Sequence, residues 1–166
     1  MSRNYYSEIN LHLVWHTKLS MPLLTAEFEP FIHRFLREQL VLTDGVFVHE
    51  VGGIETHVHV VVSINPTGLI SDLVGDLKGS SAYAVNQQFG RGEKVLQWQA
   101  GYGVVSFGTR DLEWVKAYVR NQRAHHAGGT ARDRLERIFT AKDAARRNKG
   151  QFRAQVNDGS DHMNPV

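Results

Sequence analysis

The sequence contains no cysteine and only four prolines among its 166 residues. The absence of cysteine excludes disulfide bonds, thiolate metal sites and cysteine nucleophiles. No hydrophobic run approaches the roughly 18 residues of a membrane helix, since Val60-Val61-Val62 is soon interrupted by Ser63, Asn65 and Pro66. The first residues also lack the apolar core of a signal peptide. We therefore expect a cytoplasmic protein without a membrane partner.

Charge is unevenly distributed along a chain of otherwise ordinary composition. Apolar residues make up 42% and charged residues 22%, which is typical of a single globular domain. Residues 1–115 carry eight basic and twelve acidic residues, whereas residues 116–153 carry eleven basic and three acidic residues. Such a basic segment favours a polyphosphate partner, because each bound cation releases counterions from the phosphates. A solvated basic helix explains the same composition.

Hydrophobic periodicity predicts four strands and several helices. Alternating apolar residues predict strands over 9–15, 46–51, 57–64 and 104–107. Three- and four-residue spacing predicts helices over about 26–41, 71–88 and 111–126, with Asp111 and Ser71-Asp72 as N-caps. Gly52-Gly53 predicts a break after the second strand, and a basic helix is expected over about 130–149. The βαββαβ order predicts a ferredoxin-like α+β sandwich, an antiparallel sheet with helices on one face, followed by C-terminal helices.

Two histidines occupy one face of the third predicted strand. Strand alternation puts His57 and His59 on the same side, about 6–7 Å apart, so both can reach a cation between them. The opposite face, from Val58 to Ile64, is entirely apolar and is expected to face the core. The histidine face is therefore expected to be open or to line a cleft. In a chain with nine histidines the pair also fits a purely structural role.

A tyrosine and a carboxamide lie one turn apart on the third predicted helix. Tyr118 and Gln122 share a face, and Arg120 and Arg123 lie on the same helix. A half-buried tyrosine at the rim of a helix is the ordinary alternative. Imidazoles and a carboxamide oxygen can hold a divalent cation that polarises a phosphodiester. A phenol can then attack phosphorus while a basic surface holds the nucleic-acid strand.

A series of motifs follows in fixed order from about residue 5 to residue 126. They are Val14-Trp15-His16-Thr17-Lys18, Thr56-His57-Val58-His59-Val60-Val61-Val62, Leu77-Lys78-Gly79-Ser80-Ser81, Trp98-Gln99-Ala100-Gly101-Tyr102-Gly103-Val104-Val105-Ser106 and Val115-Lys116-Ala117-Tyr118-Val119-Arg120-Asn121-Gln122, with His125-His126 after them. In these motifs the chain resembles the single-tyrosine HUH (histidine–hydrophobic–histidine) transposases of the insertion-sequence-200-like group. That group includes relatives associated with repetitive extragenic palindromes.

The resemblance implies a metal-dependent DNA transposase with a ferredoxin-like fold. It implies that His57 and His59 bind Mg²⁺ or Mn²⁺ with Gln122 as third protein ligand, and that Tyr118 is the nucleophile. In the family, the tyrosine cleaves single-stranded DNA at hairpin-bearing ends. It forms a 5′-phosphotyrosine and releases a 3′-hydroxyl, and a hydroxyl later reseals the strand. A homodimer with shared active sites is also implied. The predicted DNA contacts are Lys78, Arg120, Arg123, Arg132 and Arg134.

The resemblance also divides the chain into three parts. We predict an HUH single-tyrosine transposase domain over 1–127, a basic helical extension over 128–150 and a disordered tail over 151–166. The extension lies outside the matching motifs and is either a DNA-contacting helix or a solvated appendage. One position departs from the family pattern: many relatives have an acidic residue before the first histidine, where this chain has Thr56 after Glu55. We therefore expect the orientation of His57 to be set differently.

Other classes of protein remain open at this stage. A non-catalytic or domesticated hairpin-DNA-binding protein would act on dispersed palindromes, and a domesticated enzyme would share the transposase chemistry. A zinc hydrolase would combine His57 and His59 with an activated water and further ligands. The available ligands are His49, Glu50 and Glu55, although no regular spacing supports them. Neither a pure binding protein nor a hydrolase would depend on Tyr118.

Overall fold

The computed structural model describes residues 5–139 and 143–144 and contains the predicted order of strands and helices. The strands are β1 (Asn10–His16), β2 (Val46–Ile54), β3 (His57–Ile64) and β4 (Gly103–Phe107). The helices are α1 (Glu29–Leu42), α2 (Ile70–Phe89), α3 (Leu112–Arg120), α4 (Gln122–Ala127) and α5 (Asp133–Glu136). Among the described residues, no helix combines the length and apolar character needed to cross a membrane.

The four strands form one antiparallel sheet in the order β2-β3-β1-β4. The two central strands are β1 and β3, and their register pairs His16 with His57 and Val14 with His59. The β-α-β-β-α-β connectivity and this strand order confirm the predicted ferredoxin-like sandwich. The histidine pair consequently lies near the end of a central strand, where neighbouring strands fix its position on both sides.

Both faces of the sheet are covered, each by different helices. On one face, side chains such as Leu13, Val58 and Val60 pack with α1 and α2 in the main hydrophobic core. On the other face, Val61 packs with Val115 of α3 and Leu135 of α5 in a second, smaller cluster. Successive residues of β3 therefore point to opposite faces of the sheet, as the sequence predicted. The histidine face is not open, because α3 and α5 cover it.

The Gly52-Gly53 pair does not end the second strand, contrary to the sequence-based prediction. β2 continues through both glycines to Ile54, and the turn to β3 falls on residues 55–56. A β-carbon on Gly52 would lie 2.5 Å from the backbone oxygen of Val119 on α3. A β-carbon on Gly53 would lie 2.3 Å from the backbone oxygen of His57. The two glycines therefore allow close approach of neighbouring backbone rather than a chain reversal.

The predicted helix over 111–126 is two helices. α3 ends at Arg120, Asn121 has φ −102° and ψ 24°, and α4 begins at Gln122. Asp111 stands at the predicted N-cap position but its side chain makes no capping hydrogen bond. The predicted cap at Ser71-Asp72 is wrong, because α2 begins at Ile70 and both residues lie inside it.

The basic segment after residue 130 is not one continuous helix where the structure describes it. Within 130–139 only Asp133–Glu136 is helical, and residues 137–139 are not. This part of the chain contacts the sheet, since Leu135 is buried and the oxygen of Arg137 approaches Gly103 of β4. The rest of the predicted helix, except residues 143–144, and the predicted disordered tail over 151–166 lie outside the described residues. The division of the chain at residue 127 stays a prediction.

Candidate active site

The two histidines of β3 are buried beneath α3 and direct the same ring nitrogen toward one point. His57 and His59 are 2% and 0% exposed, and their ring centroids lie 4.8 Å apart. The Nε2 atom of His57 lies 3.1 Å, and that of His59 3.3 Å, from the same carboxylate oxygen, Oε2 of Glu136. Strand alternation therefore brings the pair together as the sequence predicted.

The other ring nitrogen of each histidine contacts a neighbouring side chain. The Nδ1 atom of His57 lies 2.9 Å from the hydroxyl of Thr56, and Nδ1 of His59 lies 2.8 Å from Nε2 of His12. Burial, together with nearby His59, lowers the pKa of His12 to about 3, so this imidazole is neutral at pH 7. These contacts hold both rings with Nε2 facing the site. The residue that orients the His57 ring is thus Thr56, the position at which the sequence departs from the family pattern.

Tyr118 extends from α3 to the same point and is only 2% exposed. Its ring centroid lies 6.2 Å from that of His59, and its ring stacks on His125 with the centroids 4.7 Å apart. The hydroxyl donates a short hydrogen bond to Oε1 of Glu136 and accepts one, 2.9 Å long, from the backbone N–H of Arg132. Burial, reinforced by the Glu136 carboxylate, raises the pKa of Tyr118 to about 12. In this conformation the phenol is therefore protonated at neutral pH.

Gln122 and His126 reach the cluster from α4. The carboxamide oxygen Oε1 of Gln122 lies 3.4 Å from Nε2 of His57, and the residue is 1% exposed. His126 lies one turn further along α4, and its Nε2 lies 3.5 Å from Oε2 of Glu136. Asn121 departs from helical dihedral angles, and α4 begins at Gln122, the residue after it. The family resemblance implied Gln122 at this place, whereas it did not imply His126.

Glu136 is the residue that sequence reasoning missed. Its two carboxylate oxygens link Tyr118 on one side to His57, His59 and His126 on the other. Although burial raises the pKa of Glu136, the imidazoles of His57 and His59 hold it well below its usual range. One signal was available in the sequence, because Glu136 is one of only three acidic residues in the basic segment 116–153.

The sequence was then compared with known families. A model of the family described as "Transposase IS200 like" matches residues 5–122, which include Tyr118, the histidine pair and Gln122. The chain belongs to the IS200-like transposase family. Its members are DNA-cleaving and strand-transferring enzymes in general.

Relatives of this IS200-like chain include a curated protein and two solved structures. The ISDra2 transposase TnpA of Deinococcus radiodurans is 24% identical over 124 residues, which cover 72% of this chain and 88% of that protein. The crystal structure of a candidate transposase from D. radiodurans R1 aligns with a TM-score of 0.58 at 24% identity, covering 74% of this chain and 96% of that one. A REP-associated tyrosine transposase bound to a REP hairpin aligns with a TM-score of 0.53 at 15% identity, covering 100% and 98%. Both structural likenesses support the fold described above.

The donor atoms of this IS200-like chain fit a metal ion. His57, His126 and Glu136 each offer one ligand atom, and these atoms lie within 4.8 Å of one another. Among the described residues, two buried atoms at the same point, Nε2 of His59 and Oε2 of Glu136, lack a hydrogen-bond partner. Unsatisfied buried polar atoms of this kind are costly unless a ligand satisfies them. Imidazole, carboxamide and carboxylate donors are suited to a divalent cation.

The residues predicted to contact DNA are dispersed around the fold. Lys78 donates hydrogen bonds to the backbone oxygens of Gln99 (2.7 Å) and Gly101 (2.8 Å), and its burial lowers its pKa. Arg120 pairs with the carboxylate of Glu50, and Arg123 pairs with those of Glu55 and Glu29. Arg132 and Arg134 are exposed and lie beside the site, the former through its backbone contact with Tyr118.

The acidic residues that a zinc hydrolase would need are engaged elsewhere. Glu50 pairs with Arg120 at 2.8 Å and with Arg37 at 2.7 Å. Glu55 pairs with Arg123, which also pairs with Glu29 of α1. His49 lies 2.7 Å from the hydroxyl of Ser63, at the far end of β3 from His57. None of these three alternative ligands contacts the histidine pair through the contacts that the described residues make.

Proposed function

We propose that this IS200-like chain is a metal-dependent DNA transposase that cleaves and rejoins single-stranded DNA at hairpin-bearing ends. Tyr118 is the proposed nucleophile, and the proposed intermediate is a 5′-phosphotyrosine. The observation that carries this proposal is that Tyr118 and the two histidines all contact the carboxylate of Glu136. The Tyr118 hydroxyl contacts one oxygen of Glu136, while Nε2 of His57 and of His59 lie 3.1 and 3.3 Å from the other. One phosphodiester group at this point would be within reach of all three side chains.

His57, His59 and Gln122 are the residues proposed to hold Mg²⁺ or Mn²⁺. When bound, such a cation would polarise the phosphodiester and lower the pKa of a neighbouring hydroxyl. Thr56 and His12 support the site by fixing which nitrogen of each imidazole is presented. Family membership supports a divalent cation in general terms, and the unsatisfied Nε2 of His59 supports one at this place.

Cleavage is a transesterification that needs no water and no external cofactor besides the cation. The Tyr118 oxygen forms a bond to phosphorus as the bond between phosphorus and the 3′ oxygen breaks. The phenolic proton is lost and the departing 3′ oxygen gains one, so a 3′-hydroxyl is released. Rejoining reverses the exchange: a 3′-hydroxyl attacks phosphorus, the bond to Tyr118 breaks and the phenol regains its proton.

DNA has to replace contacts that now cover the nucleophile. The Tyr118 hydroxyl is held by Glu136 and by the N–H of Arg132, both from the segment after α4. Because the Tyr118 side chain is almost fully buried, a phosphodiester reaches it only when these two contacts open. The exposed Arg132 and Arg134 of the same segment are proposed DNA contacts at the entrance, with Lys78, Arg120 and Arg123 as further proposed contacts around the fold.

The nature of the DNA follows from the relatives. One structural relative is a REP-associated tyrosine transposase bound to a REP hairpin, and its fold aligns over the whole of this chain. We infer that this chain also takes hairpin DNA, either at element ends or at dispersed palindromes. A non-catalytic hairpin-binding protein is the second candidate function. A homodimer with shared active sites stays a prediction of the resemblance, whereas the contacts between Tyr118, Glu136 and the histidine pair described above lie within one chain.

The decisive experiment is a covalent-adduct assay with Tyr118→Phe. Purified protein with Mg²⁺ or Mn²⁺ is incubated with labelled single-stranded DNA from the palindromic flanks of its own gene and analysed by denaturing gel. Wild type should give a DNA-linked band, and Tyr118→Phe should give none, because the substitution removes the attacking oxygen. Hairpin binding by the variant should persist.

The matched control is Tyr83→Phe, a change of the same kind at an exposed tyrosine on α2, on the other face of the sheet. This control should form the adduct like wild type. An adduct in Tyr118→Phe would show that another group is the nucleophile. Hairpin binding without any adduct in wild type would favour the non-catalytic reading.

A further inference from the structure

We propose that Glu136 and His126 are ligands of the divalent cation in the DNA-free protein, so that the C-terminal part of the same chain closes the cation site. The inference rests on the proposed function in one respect, namely that His57 and His59 bind a cation. It adds two ligands, from α4 and α5, that lie outside the histidine pair and outside residues 5–122 matched by the family. It also assigns a role to the segment after residue 128, which the sequence left as either a DNA contact or an appendage.

The distances from the Glu136 carboxylate oxygen to the three imidazoles are those between neighbouring ligands of one ion. Oε2 of Glu136 lies 3.1, 3.3 and 3.5 Å from the Nε2 atoms of His57, His59 and His126. Ligands with bonds of about 2.0–2.2 Å to one metal ion are separated by about 3.0–3.5 Å in octahedral or tetrahedral arrangements. Each imidazole nitrogen therefore lies from the carboxylate oxygen at the spacing of neighbouring ligands of one ion, and the donor atoms of His57, His126 and Glu136 all lie within 4.8 Å of one another.

Directed hydrogen bonds leave two atoms of this arrangement unsatisfied. The Nε2 atom of His59 and Oε2 of Glu136 are buried and face each other at 3.3 Å, yet in the described part of the chain neither has a hydrogen-bond partner. Three imidazole nitrogens around one carboxylate oxygen need either three suitably directed N–H groups or a cation. The cation satisfies all four atoms at once and offsets the negative charge of the buried carboxylate.

The segment that carries Glu136 is short and packs against the edge of the sheet. α5 has only four residues, and its buried anchor is Leu135. Beyond it, the backbone N–H of Phe139 donates a long hydrogen bond, 3.4 Å, to the oxygen of Tyr102. An additional bond from Glu136 to a cation would therefore change the stability of this segment measurably.

The first test follows the segment by limited proteolysis of the wild-type chain. Arg132, Arg134 and Arg137 are exposed trypsin sites on either side of Glu136. If Glu136 is a ligand, saturating Mn²⁺ should slow cleavage after these arginines relative to EDTA, by at least fivefold, as measured by mass spectrometry of the peptides. Cleavage after Arg91, on an exposed loop away from the site, reports trypsin activity in each sample. Unchanged or faster cleavage in Mn²⁺ would overturn the proposal, and faster cleavage would mean that the carboxylate and the cation compete.

The second test measures Mn²⁺ binding by calorimetry without DNA. Glu136→Gln and His126→Gln should each weaken binding at least tenfold relative to wild type. Asp133→Asn makes the same change of charge at an exposed position of the same short helix and should bind within about twofold of wild type. Thermal melts in EDTA establish that each variant is folded. Equal or tighter Mn²⁺ binding by Glu136→Gln would overturn the proposal.

The measurement of Mn²⁺ binding is independent of the transposase reaction. His57→Ala should abolish Mn²⁺ binding whether or not Glu136 contributes, so it reports on the proposed cation site itself. Binding by wild type that is weakened in Glu136→Gln, but with no covalent adduct on DNA, would support the cation ligands and reject the proposed function. A covalent adduct on DNA together with unaltered Mn²⁺ binding by Glu136→Gln would support the proposed function and reject Glu136 as a cation ligand.

Discussion

At the scale of single residues, the site depends on which nitrogen each imidazole presents. A histidine binds a cation through one nitrogen only when the other is held by a partner that fixes the ring. Thr56 serves His57 in this way at 2.9 Å, and His12 serves His59 at 2.8 Å. The partner of His57 is thus a neutral hydroxyl rather than a carboxylate.

Replacing Thr56 by valine tests this role with little change of shape. The variant keeps the β-branched side chain but loses the hydroxyl at Nδ1 of His57, so the ring loses its fixed orientation. We expect Mn²⁺ binding to weaken by about 10–100-fold, measured by calorimetry. Thr56→Ser keeps a hydroxyl and should stay close to wild type. Equal affinities for the valine and serine variants would show that this hydroxyl does not orient His57.

At the scale of elements, the position of Tyr118 depends on how closely α3 approaches β2. Gly52 permits that approach, because the backbone oxygen of Val119 occupies the space where a β-carbon would stand. Val119 is the next residue after Tyr118, so any displacement of α3 at this contact also displaces the proposed nucleophile. Glycine is required here by close packing of two backbones.

Gly52→Ala should therefore destabilise the fold and misplace the tyrosine. We expect the free energy of unfolding to fall by about 1–3 kcal/mol in urea titrations, as for overpacked cores. Gly75→Ala is the matched control, because Gly75 lies in α2 with no atom within 4 Å of an added β-carbon. Alanine there should raise stability by up to about 1 kcal/mol through helix propensity. A neutral Gly52→Ala would mean that α3 adjusts without cost.

Local patterns predicted the elements and most of the site. Alternation in β3 predicted which face carries His57 and His59, the spacing of Tyr118 and Gln122 predicted that these two share a helix face, and the family resemblance implied that they meet the histidine pair. The alternation and the spacing are local signals, since they depend on side-chain directions within one strand or helix. The arrangement of four strands and two crossing helices was predictable for the same reason.

The errors concern contacts between distant parts of the chain. Gly52-Gly53 looked like a turn because the backbone of α3, almost 70 residues later, is invisible in the local sequence. Likewise, nothing adjacent to Glu136 indicates that it meets a strand some 80 residues earlier. The break at Asn121 was missed because the helical spacing of apolar residues continues across it, and only the backbone dihedral angles of Asn121 mark the boundary between α3 and α4.

At the scale of the whole molecule, many basic residues are already paired within the fold. Lys78, Arg120 and Arg123 bind backbone or carboxylate oxygens of other elements, which ties α2, α3 and α4 to their neighbours. Of the basic residues of segment 116–153 that the structure describes, Arg120 and Arg123 therefore already share their charge with carboxylates of the fold. Arg132 and Arg134, exposed beside the site, are the better placed of the proposed DNA contacts.

The dependence of DNA affinity on salt concentration reports how many phosphate contacts these arginines make. The double variant Arg132→Gln/Arg134→Gln should flatten the slope of log affinity against log salt by about 1.4–1.8, because each phosphate contact contributes about 0.7–0.9. Arg34→Gln is the control, since Arg34 is an exposed residue of α1 on the opposite face of the sheet. Filter binding of a labelled hairpin at several salt concentrations gives both slopes. A slope unchanged by the double variant would remove these arginines from the DNA surface.

The proposed nucleophile and the histidine pair meet within one polypeptide, and this has a consequence for mixtures of two variants. When Tyr118→Phe and His57→Ala proteins are combined, each copy lacks a different essential group, and neither can complement the other. The mixture should therefore form no more covalent adduct on labelled DNA than either protein alone. Recovery of the adduct would instead reveal that copies exchange their α3 helices, as the predicted homodimer with shared active sites requires.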